Sequence, residues 1–145
     1  MKSHKIKKTS WPRRRFIQSS ALSGPLDWSD EGSALREKVL MDSAYQLVGD
    51  IFFLSTNRKT EDLFVMIEVL GIPKIGLSFK DYEACAGLVY DFPESAFDVD
   101  FLTIKKRAEE IIRGVSYNLD DNYHIVLEGK NLALHFFIQK DYIES

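Results

Sequence analysis

Apolar and polar residues alternate along the C-terminal segment NYHIVLEGKNLALHFFIQ, residues 122–139, and the alternation restarts after Gly129. A period of two is typical of β-strands, and glycine suits the first central position of a two-residue type II′ turn. The pattern therefore predicts a β-hairpin with a core-facing set of Tyr123, Ile125, Leu127, Leu132, Leu134, Phe136 and Ile138. The opposite face is mixed, and we expect it to be half exposed; it carries Asn122, His124, Val126, Glu128, Asn131, Ala133, His135 and Phe137.

Upstream of the hairpin, apolar residues recur at helical spacing of three and four in several stretches. Together with candidate capping residues, this spacing predicts helices over residues 34–54, 61–70, 79–86 and 101–113. The clearest of these is FLTIKKRAEEIIRG, which follows Asp98 and Asp100 and ends at Gly114. Short strands are expected over residues 74–79 and 88–92, the second stopped by Pro93.

The predicted order is helix, helix, strand, helix, strand, helix and hairpin, with no internal repeat. This order indicates the α+β class, in a single domain. We expect about four helices packed on a small antiparallel or mixed sheet that ends in the C-terminal β-hairpin. At 145 residues and 45% hydrophobic composition, the chain is long enough to bury one core.

Charge divides the chain unevenly. Residues 1–15 contain seven lysines and arginines and no acid, whereas the rest holds the other 12 of 19 basic groups against all 22 acidic ones. This asymmetry predicts a basic, flexible tail over residues 1–24 and an acidic globular domain over residues 25–145. The lone Cys85 excludes an intrachain disulfide, and no apolar run is long enough to span a bilayer, so a cytoplasmic, non-membrane protein is expected.

The segment WPRRRFIQSS within the basic tail has four interpretations. A twin-arginine export signal would need an apolar stretch, which Pro25 and Asp27 interrupt, and an organellar presequence would need an amphipathic helix, which Pro12 interrupts. A phosphate-binding arm is the third, with basic and stacking side chains from Lys5, Lys7, Lys8, Trp11, Arg13, Arg14, Arg15 and Phe16. A solvated tail is the interpretation that the composition favours.

Few residues in the sequence indicate a catalytic or metal-binding site. The hairpin register places His124 opposite His135, close enough to share a proton or a zinc ion, although zinc needs at least one more protein ligand and the sequence nominates none. Two polar residues on the outer hairpin face are the simpler interpretation, and a packed, inert thiol is the simpler one for Cys85. Nucleotide-binding, zinc-protease and nucleophile-elbow motifs are absent. We therefore predict no enzyme and no cofactor, with zinc at the histidine pair as the exception.

The acidic domain supports the leading hypothesis, a non-enzymatic binding protein that engages a basic protein partner in the manner of an inhibitor or immunity protein. Acidic groups would steer the encounter and aromatic groups would anchor it. The candidate contact residues are Asp27, Trp28, Asp30, Glu31 and Phe137. The first alternative is a nucleic-acid-associated accessory protein that uses the basic tail. The second is a small metal-dependent enzyme built on His124 and His135.

Overall fold

The fold is dominated by one antiparallel sheet of nine strands, seen in a computed structural model that describes residues 5–19, 28–41, 45–60, 62–71 and 79–139. Within these ranges two α-helices occur, α1 (Trp28–Met41) and α2 (Phe101–Gly114). The strands are β1 (Ile6–Trp11), β2 (Arg14–Gln18), β3 (Tyr45–Leu47), β4 (Phe52–Asn57), β5 (Leu63–Gly71), β6 (Phe79–Tyr82), β7 (Cys85–Asp91), β8 (Leu119–Glu128) and β9 (Asn131–Ile138). The prediction of about four helices on a small sheet is therefore wrong.

The sheet contains a structural repeat that the sequence does not reveal. Its strand order is β1-β7-β9-β8-β4-β5-β2-β6, with β3 paired to β5 beside this path. Each half of the chain supplies two consecutive strands that do not pair with each other, then a helix and then a hairpin, and the first half adds β3. Exchanging β1 with β6, β2 with β7, β4 with β8 and β5 with β9 reproduces the same order in reverse. The two halves are thus related by a pseudo-twofold axis that passes between β4 and β8.

The incorrectly predicted helices lie where strand and helix patterns coincide. In β5 the odd-numbered side chains from Leu63 to Val69 are buried on one face, while Met66 is buried on the other. Burial on both faces yields a nearly continuous apolar run, LFVMIEVL, that also satisfies helical spacing. The predicted helix over residues 34–54 ends as α1 at Met41, and the one over residues 79–86 is replaced by β6 and the start of β7. Of the strand predicted over residues 74–79, residues 74–78 lie outside the described ranges.

Helix α2 confirms its prediction. The Asp100 carboxylate accepts a hydrogen bond of 2.7 Å from the backbone N–H of Thr103, which is the N-cap arrangement. The buried side chains of α2, Ile104, Ala108 and Ile111, pack into the main apolar cluster together with Leu35 and Val39 of α1. Both helices therefore cover the same face of the sheet.

Strands β1 and β2 overturn part of the domain prediction. Residues 5–19 are not a flexible tail, because β1 pairs with β7 and β2 lies between β5 and β6. The cause is the pair Phe16 and Ile17, each with 0% of its surface exposed, on opposite faces of the sheet. Residues 1–4 and 20–27 lie outside the described ranges. None of the described helices is long and apolar enough to cross a membrane.

Candidate ligand-binding face

The face of the sheet opposite the helices carries a second, smaller apolar cluster centred on Phe16, Phe53, Met66 and Val126. Six strands contribute ring side chains to this region, and each ring contacts at least one other ring of the group. The ring cluster consists of Trp11, Phe16, Phe53, Tyr82, His124, His135 and Phe137.

The hairpin register behind this cluster is confirmed, since His124 lies directly opposite His135 and Glu128 opposite Asn131. The expectation that this hairpin face is half exposed is met in part. Asn122, Glu128 and Asn131 are exposed and Ala133 and His135 are half-buried, whereas His124 is 0% and Phe137 is 8% exposed. Side chains from β2, β4 and β6 cover the buried part, and the sequence does not show which distant strands lie beside the hairpin. The predicted core face is buried as expected, with Ile138 packed at its margin.

Ring contacts show that this face is concave. Trp11 lies on β1 and Tyr82 on β6, the two edges of the sheet, yet both contact Phe137, at ring-centroid distances of 5.4 Å and 5.9 Å. The sheet therefore curves until side chains from its two edges contact the same ring on β9. The Trp11 ring also lies against Gly87, where a Cβ atom would come within 1.9 Å of it. We call this surface the concave face.

Burial dominates the electrostatics of the histidine pair. It lowers the pKa of His124 well below its usual range, and the positive charge of Arg14 lowers it further. For His135 the same two causes lower the pKa to about 4. The Nε2 atom of His124 lies 3.3 Å from the Tyr82 hydroxyl, while Nδ1 of each histidine has no hydrogen-bond partner. Both rings are therefore neutral at physiological pH.

Arg14 is the unusual charge on the concave face. Its side chain is buried at 8% exposure, and its Nε and Nη2 atoms have no hydrogen-bond partner. The guanidinium carbon lies 5.0 Å from the Trp11 ring centroid and 5.3 Å from that of Phe16, within cation–π range. Burial lowers the pKa of Arg14, and the nearby Glu68 partly offsets this. Burial also raises the pKa of Glu68.

Two cavities open beside the ring cluster. Cavity A, about 380 Å³, is walled by Phe53, Val126, Ala133 and His135 and carries polar groups of Asp91, Glu128 and Asn131. Cavity B, about 240 Å³, lies at the ends of β2, β5 and β6 and is lined by Arg13, Arg14, Arg15, Glu68, Leu70 and Asp81. Cavity A is lined by two members of the ring cluster, Phe53 and His135. Cavity B is lined by Arg14, whose guanidinium contacts two other members, Trp11 and Phe16.

The residues predicted for a phosphate-binding arm fall into different environments. Lys5, Lys7, Lys8 and Arg13 are exposed, whereas Arg14 and Phe16 are buried and Trp11 is half-buried. Arg15 donates two hydrogen bonds to Asp81, at 2.6 Å and 2.9 Å, and a third to the carbonyl oxygen of Gly71. The eight residues therefore do not form one mobile arm.

The residues predicted to contact a basic partner are also separated. Asp30 and Glu31 are exposed in the first turn of α1, on the helix-covered side, whereas Phe137 is buried on the concave face. Asp27 and the side chain of Trp28 lie outside what the structure describes. The structure does not bring the acidic pair and Phe137 together, and a basic protein partner stays a prediction.

Other candidate chemistry is sparse in the part of the chain that the structure describes. No group of three or more His, Cys, Asp or Glu side chains there could hold a metal ion, so His124 and His135 supply two ligands at most. Burial raises the pKa of the Cys85 thiol, which keeps it protonated. Sequence reasoning missed the roles of Phe53, Glu68 and Tyr82, because nothing local marks residues that meet through long-range strand pairing.

Comparisons with known proteins identify the fold but no family. No family model matches the chain, and no curated protein matches it. The chain has the fold of the EcmrR C-terminal domain. That crystal structure aligns with a TM-score of 0.63 and 8% identity, covering 95% of this chain and 99% of that domain.

Two further structures share this fold. EcmrR in its cryo-EM complex with DNA aligns with a TM-score of 0.69 and 8% identity, over 93% of this chain and 56% of that one. The chain thus spans little more than half the length of EcmrR. SAV2435, solved with bound tetraphenylphosphonium, aligns with a TM-score of 0.54 and 7% identity, over 93% of this chain and 94% of its own.

Proposed function

We propose that this chain is a ligand-binding domain of a regulatory protein and that cavity A binds an aromatic small molecule. The observation that carries the proposal is the position of cavity A: about 380 Å³ of open space, on the concave face, against two members of the ring cluster. Ligand sites are typically concave, ring-lined and roughly 300–1,000 Å³ in volume. The helices lie on the other face and leave this one accessible.

The chemistry of cavity A suits a flat, apolar ligand with one polar group. Phe53 and His135 offer ring surfaces for stacking, a contact that contributes about 0.5–1.5 kcal/mol beyond burial. Asp91, Glu128 and Asn131 offer hydrogen-bonding groups that would orient the ligand. SAV2435, with its bound tetraphenylphosphonium, and EcmrR, with its bound DNA, support a ligand-responsive regulator as the context.

Titration with neutral, fluorescent N-phenylnaphthylamine tests this proposal. We expect saturable one-to-one binding with enhanced probe fluorescence. Ala133 is half-buried and lines cavity A, so Ala133→Phe should fill the space and abolish binding while preserving the fold. Ala34→Phe is the matched control, because Ala34 is exposed on α1.

Loss of binding in Ala133→Phe with normal binding in Ala34→Phe supports cavity A. Equal binding by both variants would place the ligand elsewhere. Absence of saturable binding to the wild type, with tetraphenylphosphonium also tested by calorimetry, would refute a ligand-binding function for cavity A.

Nucleic-acid association is the second candidate function. The supporting observation is the exposure of Lys5, Lys7 and Lys8 at edge strand β1, with Arg13 in the turn that follows. Each basic group that neutralises a phosphate makes affinity more salt-dependent. Replacing the three lysines by serine should reduce both DNA affinity and the slope of log affinity against log salt, measured by fluorescence anisotropy. An unchanged slope would count against this surface.

A further inference from the structure

We propose that cavity B binds the carboxylate of an aromatic acid and that Arg14 anchors it. This site is distinct from cavity A and does not require that cavity A bind a ligand. The proposal starts from a charge imbalance: Arg14 is buried at 8% exposure, and none of the described carboxylates lies within 4.0 Å of its guanidinium. Buried charges in proteins are normally paired, because an unpaired one loses its hydration without compensation.

The unpaired atoms of Arg14 indicate the class of anion. Nε and Nη2 both lack hydrogen-bond partners. These two nitrogens lie on one edge of the planar guanidinium, and their N–H groups point in parallel. That edge matches the two oxygens of a carboxylate, which it can bind with two parallel hydrogen bonds.

The neighbours of Arg14 indicate that the acid is aromatic. Trp11 and Phe16 lie 5.0 Å and 5.3 Å from the guanidinium carbon, so a carboxylate that reaches Arg14 brings its attached group against these rings. Cavity B, about 240 Å³ and lined by Leu70 as well as Arg14, provides space for a small ring system. Because Nε and Nη2 are shielded from water, the covering rings must shift as the ligand enters. Binding should therefore change Trp11 fluorescence.

Glu68 is the internal competitor for Arg14. The register of β2 and β5 places Glu68 opposite Phe16. Phe16 follows Arg14 by two residues on β2, so the side chains of Arg14, Phe16 and Glu68 lie on the same face of the sheet. Its negative charge acts on Arg14 through space, and cavity B is lined by both side chains. The other cationic groups of this cavity already have acidic partners: Arg15 binds Asp81, and Arg13 lies near Asp81 and Glu83. Arg14 is thus the cation in cavity B with no close acidic partner among the described residues.

The test compares naphthoate with its neutral analogue naphthamide, using Trp28→Phe protein so that Trp11 is the remaining one of the two tryptophans. Naphthoate should bind and quench Trp11, and naphthamide should bind at least about 10-fold more weakly. Arg14→Met should weaken naphthoate binding by about 10- to 100-fold. Arg13→Met, which removes an exposed positive charge from the same cavity, should change it little.

Glu68→Gln provides a variant with the opposite expectation. Removing the competing carboxylate should tighten naphthoate binding severalfold and leave naphthamide binding unchanged. A gain of affinity cannot arise from misfolding, so this variant keeps the test valid if Arg14→Met is unstable.

Three results would overturn the proposal: equal naphthoate binding by wild type and folded Arg14→Met, equal binding of naphthoate and naphthamide, or stronger Arg14-dependent binding of inorganic phosphate. Binding of N-phenylnaphthylamine, blocked by Ala133→Phe, separates the two sites. If that binding persists while naphthoate fails to bind, cavity B is refuted and cavity A stands. If naphthoate binds through Arg14 while N-phenylnaphthylamine does not bind, only the proposal for cavity A is refuted.

Discussion

Acid should destabilise this protein through the buried histidine pair, well above the pH at which carboxylates titrate. In the folded chain the pKa of His135 is lowered to about 4, and complete burial lowers the pKa of His124 well below its usual range. In the unfolded chain both take up protons near the usual value of 6.5. The unfolded state therefore binds more protons below that value, and stability falls as the pH drops from about 6.5 towards 4.

The size of the effect follows from the difference in pKa. One pKa unit corresponds to about 1.4 kcal/mol, so His135 alone should cost about 3 kcal/mol by about pH 4. With both histidines contributing, the free energy of unfolding should fall by up to about 2.7 kcal/mol per pH unit between roughly pH 6 and 4.5. This is a large share of the roughly 5–15 kcal/mol by which domains of this size are stable.

Urea unfolding at a series of pH values between about 7.5 and 4.5 measures this slope. His135→Phe keeps a ring against Trp11 but cannot titrate, so it should reduce the slope by about 1.4 kcal/mol per pH unit. Phe97→Leu is the control, because Phe97 is exposed and cannot titrate. Its slope should equal that of the wild type.

Asp81 and Glu68, two other groups with shifted pKa values, do not mimic the signal. The pKa of Asp81, held below 3.8 mainly by its hydrogen bonds with Arg15, places the loss of its contribution below this window. Burial raises the pKa of Glu68, so its contribution increases as pH falls and opposes that of the histidines. A stability that stays level from about pH 7 to 5, or a His135→Phe slope equal to that of the wild type, would refute this explanation.

Two further predictions concern packing. Gly87→Ala should destabilise the fold by about 1–3 kcal/mol or more in thermal unfolding, because the new Cβ would come within 1.9 Å of the Trp11 ring and 2.4 Å of the backbone carbonyl oxygen of Phe136. Gly114→Ala, with no atom within 4 Å of its Cβ, should be neutral or stabilising, and equal losses would refute the contact argument. Arg107→Met should cost about 1–3 kcal/mol, because it removes the 2.6 Å hydrogen bond from α2 to the Tyr90 hydroxyl. The exposed Arg113→Met should cost less than about 1 kcal/mol, and a similar loss from both would contradict that assignment.

Local sequence patterns correctly predicted the elements that are stabilised by contacts between residues close together in the chain. Asp100 caps α2 as expected, and the register of the hairpin follows from alternation and a single glycine, whose φ is +60°. The prediction failed in β5 because burial on two faces removes the polar positions that distinguish a strand from a helix. Nothing within β5 alone resolves that ambiguity.

The candidate site was predicted in fragments. The histidine pairing could be predicted because both residues lie on one hairpin. Their burial could not, since it depends on β1 and β2, which lie more than 100 residues away in the chain. Counting charges along the sequence did not identify Arg14 as a buried residue, because such a count treats every arginine as exposed to solvent. Only the strand order shows that Arg14 and Phe16 lie inside the sheet while Arg13 lies outside.

Backbone amide shifts on addition of N-phenylnaphthylamine, followed by NMR, are the most direct test of the central claim that cavity A binds an aromatic ligand. The largest shifts should map to Phe53, Val126, Ala133 and His135 on β4, β8 and β9, with small shifts in α1 and α2. Ring-current effects fall steeply with distance, so the map locates the probe. Shifts concentrated in the helices, or none at saturating probe, would contradict the claim.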